Sequence, residues 1–168
     1  MSVPLLWLLV VGLPMLAEAR VSVRHERYLR AIGAVEPSGD VYRAMQLTYP
    51  AVFLVMIAEG AIRGVTVDRA VAAGAAVFTV AKILKYWAIG ALGHRWTFRV
   101  LVPPGSSRII AGPYRWFRHP NYIAVAGELV STALAMHAIL TGIPAVTAFA
   151  ALMLKRIGIE ERALGQPQ

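Results

Sequence analysis

The chain has 168 residues, 58% of them hydrophobic and 15% charged, with a formal charge of +8 and a mean hydropathy of +0.60. Soluble domains run at about 45–50% apolar and about 25% charged, so an ordinary water-soluble domain is excluded, and so is disorder, because disordered chains are poor in apolar residues. There is no cysteine, which removes disulfides, thiolate metal sites, a cysteine nucleophile and lipid attachment at cysteine.

A helix that crosses a bilayer needs about 20 mostly apolar residues. Residues 3–19 are the first candidate, interrupted only by Pro4, Pro14 and Glu18. Ala17-Glu18-Ala19 mimics a signal-cleavage site, but nothing before Arg20 is basic, so a retained span is expected. Residues 20–43 are polar and carry Arg20, Arg24, Arg27, Arg30 and Arg43. Gly33, Pro37, Ser38 and Gly39 predict that they break into a short helix and a turn. Residues 44–62 form the second span, and residues 63–69 a short polar turn. Gly60 and Gly64 have the spacing of a helix-dimer motif, but at a span end beside Arg63 they read as part of that turn. Residues 70–92 form the third span, with Lys82 and Lys85 in its later half. Residues 93–120 are polar and dense in arginine and aromatics. Residues 121–140 form the fourth span. Thr141, Gly142 and Pro144 predict a tight turn, from which residues 143–154 return as a shorter fifth segment, extended by an amphipathic helix over 155–164.

The charge sorts by loop. One set of loops collects Arg20, Arg24, Arg27, Arg30, Arg43, Arg95, Arg99, Arg108, Arg115, Arg118, Lys155, Arg156 and Arg162; the opposite set holds Arg63 and Arg69. Lys82 and Lys85 can snorkel toward the first side. Cytoplasmic loops carry the Lys/Arg excess. The expected protein is therefore an all-α, polytopic protein of the inner or plasma membrane with about five transmembrane helices. Its N-terminus faces out, and its C-terminus and both large loops face the cytoplasm. A nucleic-acid binder has no need to sort charge by alternate loops, so no nucleic-acid partner is expected.

Three polar signals stand out. The densest is the run Gly112-Pro113-Tyr114-Arg115-Trp116-Phe117-Arg118-His119-Pro120-Asn121-Tyr122, at the mouth of the fourth span. An interfacial aromatic belt and the positive-inside bias explain its residue types, but not His119 before Pro120 or the re-aiming of the chain at Gly112-Pro113. The second signal is Glu128, about 12 Å into the same helix at 1.5 Å per residue. An intramembrane carboxylate is a functional candidate by default; its structural alternative is pairing with Lys82 or Lys85. Glu59 lies near a span end and reads as interfacial. The third signal is Glu160-Glu161, the only acids on an otherwise basic tail, whose plain alternative is a solvated Glu-Arg face. A hairpin of the last two segments would fold these acids back beside residues 112–122. No dinucleotide fingerprint, P-loop, HExxH or Gly-x-Ser-x-Gly is present. His25, His94, His119 and His137 are too scattered to argue a metal.

At these residues the chain resembles the isoprenylcysteine carboxyl methyltransferase family of integral membrane enzymes. The resemblance rests on Gly112-Pro113-Tyr114-Arg115, Arg118-His119-Pro120-x-Tyr122, Glu128, a helical hairpin and Glu160-Glu161-x-x-Leu164. Residues 92–97 and 102–105 are similar to small bacterial members, some of which methylate polyketide lipids such as alkylpyrones. The resemblance divides the chain into N-terminal transmembrane helices, 1–92, and a catalytic region, 93–168. It implies S-adenosylmethionine as methyl donor, held in a cytoplasmic pocket by Gly112, Pro113, Tyr114, His119, Pro120 and Tyr122 and closed by Glu160 and Glu161. Lipophilic acceptors would enter between spans, with membrane lipids as neighbours. Glu128, Arg118 and Arg99 are expected to carry catalysis. Arg95, Arg99 or Arg118 would offer a cation to a carboxylate acceptor. Glu128 or His119 would offer a base to a hydroxyl acceptor. The expected activity is O-methylation of an isoprenylcysteine-type carboxylate or a polyketide-lipid hydroxyl. The rival readings are a phospholipid-type N-methyltransferase and a non-enzymatic membrane scaffold.

Overall fold

A computed structural model describes residues 2–106 and 109–165, with side chains through Ala163. Arg108 and the Leu164 side chain therefore lie outside the described residues. Among the described residues five helices follow in order: α1 (Val3–Ala31), α2 (Tyr42–Ile62), α3 (Arg69–Leu92), α4 (Pro120–Ala135) and α5 (Ile139–Gly165). Short 3-10 turns occupy Gly93–Arg95 and Gly112–Arg115. Helices α1, α2, α3 and α5 are long and apolar enough to cross a bilayer. Helix α4 has 16 residues, or about 24 Å at 1.5 Å per residue, and is packed against α2, α3 and α5. The protein is an all-α, polytopic membrane protein.

The boundaries differ from expectation at two places. First, α1 does not end near residue 19. It runs 29 residues to Ala31, because no glycine or proline lies between Met15 and Gly33. Gly33, at φ +84°, takes the left-handed turn that a side chain resists. The four arginines from Arg20 to Arg30 therefore ride on an extension of the first span rather than on a separate short helix. Second, the hairpin between α4 and α5 turns at 136–138, not at Thr141, Gly142 and Pro144, which lie inside α5. His137 takes φ +49° at this turn, and its Nε2 lies 2.9 Å from Asp68 Oδ2. Helix α5 starts early because Glu59, reaching across from α2, accepts the N–H groups of Leu140 (3.2 Å) and Thr141 (2.8 Å) and the Thr141 hydroxyl (2.7 Å). The expected interfacial acid is thus a buried cap on donors that a helix start leaves unmet. As expected, the last segment continues as helix through residues 155–164, so that α5 is one helix of 27 residues.

The core collects Trp7 and Val11 of α1, Phe53 and Met56 of α2, Phe78 of α3, Leu129 of α4 and Phe149 and Met153 of α5. The Trp7 indole N–H donates to Thr132 Oγ1 at 3.0 Å, which satisfies a donor that would be costly inside the bundle. At the end of the bundle opposite the α4–α5 turn, the two long connections meet. Val35 and Val102 exchange both backbone hydrogen bonds at 3.0 Å, as an isolated antiparallel bridge.

Candidate functional site

The site is assembled where α3 ends and α4 begins. Gly112, at φ +55°, sits so close to α3 that a Cβ there would lie 2.8 Å from Ala91 Cβ and 3.2 Å from Trp87 Nε1. Only glycine allows this close turn, and buried Pro113 follows it. His119 then stands just before Pro120, the first residue of α4, where a missing N–H costs nothing. Gly112, Pro113 and Pro120 thus shape the chain, and none of the three lines the cavity beside them.

That cavity has a volume of about 400 Å³, within the range of about 300–1,000 Å³ usual for small-molecule sites. Tyr114, Arg118, His119, Tyr122, Glu160 and Glu161 line one side. The antiparallel course of α4 and α5 is what brings them together. The Tyr122 hydroxyl donates to Glu160 Oε2 at 3.1 Å. His119 Nε2 lies 3.2 Å from Glu161 Oε1, and His119 Nδ1 lies 4.0 Å from Glu160 Oε2. Arg118 is mostly exposed and stands 3.8 Å from Glu161. Burial, reinforced by the Glu160 carboxylate, pushes the Tyr114 phenol well above its usual range, so it stays a neutral donor at physiological pH. The facing wall is the segment from Trp96 to Pro103, where Val100, Leu101 and Val102 are buried.

Arg99 lines the cavity but is already occupied. Its Nη1 lies 2.7 Å from Glu36, its Nε lies 3.3 Å from Glu26, and the guanidinium sits 4.1 Å from the Tyr42 ring centroid. Burial works against the Arg99 charge, but the Glu36 hydrogen bond and the Glu36 and Glu26 charges outweigh it and raise its pKa. Burial likewise opposes ionisation of Glu36, and hydrogen bonds from Arg30 and Arg99 still hold its carboxyl below the usual range. Arg99 is therefore a neutralised element of the wall.

Glu128 is not at the cavity. Its carboxylate is 1% exposed, deep in the bundle, among residues of three other helices. Lys82 and Lys85 of α3 lie 3.1 and 3.2 Å from Glu128 Oε1. Both lysines also reach Glu18 of α1, each at 2.7 Å, and the Tyr49 hydroxyl of α2 donates to Glu128 Oε2. The lysines do not snorkel out of the span; they close a neutral ring of two acids and two bases. The structure thus gives Glu128 the paired environment, and Glu128 is not among the residues that line the cavity with His119 and Glu160.

Sequence reasoning missed Arg156, which was counted only as a loop charge. It is 6% exposed and lines the cavity. Its Nε donates to the Tyr122 hydroxyl at 2.9 Å, and an Nη donates to the Phe98 carbonyl. A signal was present: Arg156 continues the buried α5 stripe of Ala145, Phe149 and Met153 and stands one turn before Glu160. Trp96 and Asn121 were also missed as lining residues; the Trp96 indole donates to Asn121 Oδ1 at 3.4 Å. Among the described residues, no cluster of His, Asp and Glu could hold a metal.

The chain is 32% identical over 160 residues to "Uncharacterized protein YpbQ" of Bacillus subtilis (strain 168), covering 94% of this chain and 95% of that protein. It is 23% identical over 145 residues to an "Uncharacterized protein" of Haemophilus influenzae (strain ATCC 51907 / DSM 11121 / KW20 / Rd), covering 86% and 84%. No solved structure matches. The model of the isoprenylcysteine carboxyl methyltransferase (ICMT) family matches residues 74–166. That span takes in most of α3, the cavity wall, the His119–Tyr122 mouth and the Glu160-Glu161 tail, and the chain belongs to the isoprenylcysteine carboxyl methyltransferase family.

Proposed function

We propose that the protein is an S-adenosylmethionine-dependent O-methyltransferase acting on a lipophilic acceptor. The observation that carries this reading is the convergence of His119, Tyr122, Arg156, Glu160 and Glu161 on one cavity with an apolar facing wall. The donor has a cationic amino group and sulfonium, an anionic carboxylate and a flat base. The residues present fit it: two carboxylates for its cations, a guanidinium for its carboxylate and aromatic faces for its ring and sulfonium. Ser106 Oγ, buried on the lining and without a hydrogen-bond partner among the described residues, leaves one polar atom for a bound ligand to satisfy. When bound, the donor supplies a methyl group on a positively charged sulfur.

The chain's own contribution is alignment, which accounts for most of the rate in a displacement of this kind. Tyr122 fixes Glu160, and Arg156 fixes Tyr122, so the carboxylate end is preorganised. Val100, Leu101 and Val102 exclude water on the acceptor side. Arg118 at the rim offers a cation to an acidic acceptor, which needs no base. For a hydroxyl acceptor, a His119 whose Nε2–H is held by Glu161 has Nδ1 left to take the proton.

The test is calorimetric titration of the detergent-solubilised protein with S-adenosylmethionine. Binding is expected, and His119→Ala and Glu160→Ala should each weaken it. A wild-type chain that does not bind overturns the reading. Labelled-methyl incubation with a total lipid extract, followed by mild base and mass spectrometry of the product, then separates a methyl ester from an ether or a methylated amine.

A further inference from the structure

The family match begins at residue 74, yet residues well before it hold the cavity wall in place. From Trp96 to Val102, every second residue has its backbone bound by the N-terminal half. His25 Nδ1 is 2.8 Å from the Trp96 carbonyl, and the Phe98 N–H donates to Ser22 Oγ at 2.8 Å. The Val100 N–H donates to Asp40 Oδ2 at 3.3 Å, and Val102 pairs with Val35. The segment bends at Phe98 and Arg99, and helix α1 and the 32–41 connection meet backbone groups that would otherwise be left unpaired.

Asp40 differs from the other anchors. Its side chain is 4% exposed, and its second oxygen, Oδ1, lies 3.8 Å from an Arg156 Nη. Among the described residues Oδ1 is buried without a hydrogen bond, so its hold on the guanidinium is one of charge. Arg156 in turn binds Tyr122, which binds Glu160. One carboxylate therefore touches the acceptor-side wall through Val100 and the carboxylate end of the cavity through Arg156.

We propose that Asp40 is a positioning residue that couples the apolar wall of the cavity to its Arg156–Tyr122–Glu160 end. This rests on the methyltransferase reading, in which the two sides hold acceptor and donor. Asp40 does not line the cavity and acts through Arg156. Without its charge, the guanidinium, still tied to the Phe98 carbonyl, loses its counterweight and tilts toward Glu160, which disturbs the donor's end while the wall's amide hydrogen bonds stay in place.

The experiment uses the full chain in detergent, titrated with S-adenosylmethionine, with hydrogen exchange of the 96–103 peptide as a second readout. Asp40→Asn keeps an oxygen for the Val100 N–H but removes the charge. It should weaken binding on the order of tenfold, as for members of one hydrogen-bonded network, with exchange unchanged. Asp40→Ala should weaken binding and also speed exchange; should it fail to fold, Asp40→Asn carries the test alone. Ser22→Ala, which frees the Phe98 amide but does not touch Arg156, should speed exchange and keep affinity within about twofold. Equal affinity of Asp40→Asn and wild type overturns this inference alone. Equal weakening by Asp40→Asn and Ser22→Ala also overturns it, because general loosening of the wall would then suffice. A wild-type chain that does not bind overturns the methyltransferase reading and takes this inference with it.

Discussion

At Glu128 one buried carboxylate meets two ammonium groups and a phenol, and the count of charges decides what its loss does. The ring of Glu18, Lys82, Lys85 and Glu128 is neutral. Glu128→Ala leaves a net positive charge inside the bundle, and removing one partner of a buried pair costs about 3–5 kcal/mol. A large drop in the thermal midpoint in detergent is therefore expected for this variant. Adding Lys85→Met restores neutrality, and the double variant should recover part of the loss. A midpoint for Glu128→Ala equal to that of wild type would show that the ring contributes nothing to the fold. The sequence did mark Glu128, and it offered Lys82 or Lys85 as partners. It could not show Glu18 or Tyr49, because they come from helices whose azimuth no single-helix pattern reveals. Glu18 read as an interruption of an apolar span and as the centre of a cleavage-site mimic, not as a partner for a lysine.

Among the elements, the pair α3–α4 carries the site's geometry, and its closeness depends on small residues. A Cβ on Gly74 would lie 2.7 Å from Ala135 Cβ and 2.8 Å from the Ser131 carbonyl oxygen. Backbone cannot yield as a flexible side chain can, so Gly74→Val should cost about 1–3 kcal/mol by overpacking. Gly90 on the same helix has open space around it, and Gly90→Ala should gain up to about 1 kcal/mol of helix propensity. Thermal unfolding of the two variants checks both signs. Helix existence was legible throughout, since long apolar runs between polar stretches leave little choice. The α4–α5 turn was not. Gly142 and Pro144 carry turn chemistry, but Gly142 serves close passage past Ala133, and Pro144 sits within the first two turns of α5. The deciding cap, Glu59, comes from another helix. The convergence of His119 and Tyr122 with Glu160 and Glu161 was legible because any hairpin returns the tail to the start of α4, wherever the turn falls.

The molecule as a whole has a polarity that charge alone predicts. With five helices in alternating directions, the 32–41 and 93–119 connections and the end of α5 share one side, and the 63–68 turn and the 136–138 turn share the other. The first side holds the cavity and nearly all the arginines of the connections. The positive-inside bias predicts that this side faces the cytoplasm, where a water-soluble donor would reach Glu160 and Glu161 directly. The absence of cysteine makes this measurable without a background. Val67 on one side and Ile110 on the other are 81% and 74% exposed, so Val67→Cys and Ile110→Cys place single thiols at opposite faces with little cost to packing. In intact cells a membrane-impermeant maleimide should label Val67→Cys at once and Ile110→Cys only after permeabilisation. The reverse pattern would put the cavity outside the cell, away from a cytoplasmic donor. It would count against the proposed reaction even though every distance in the site stood unchanged.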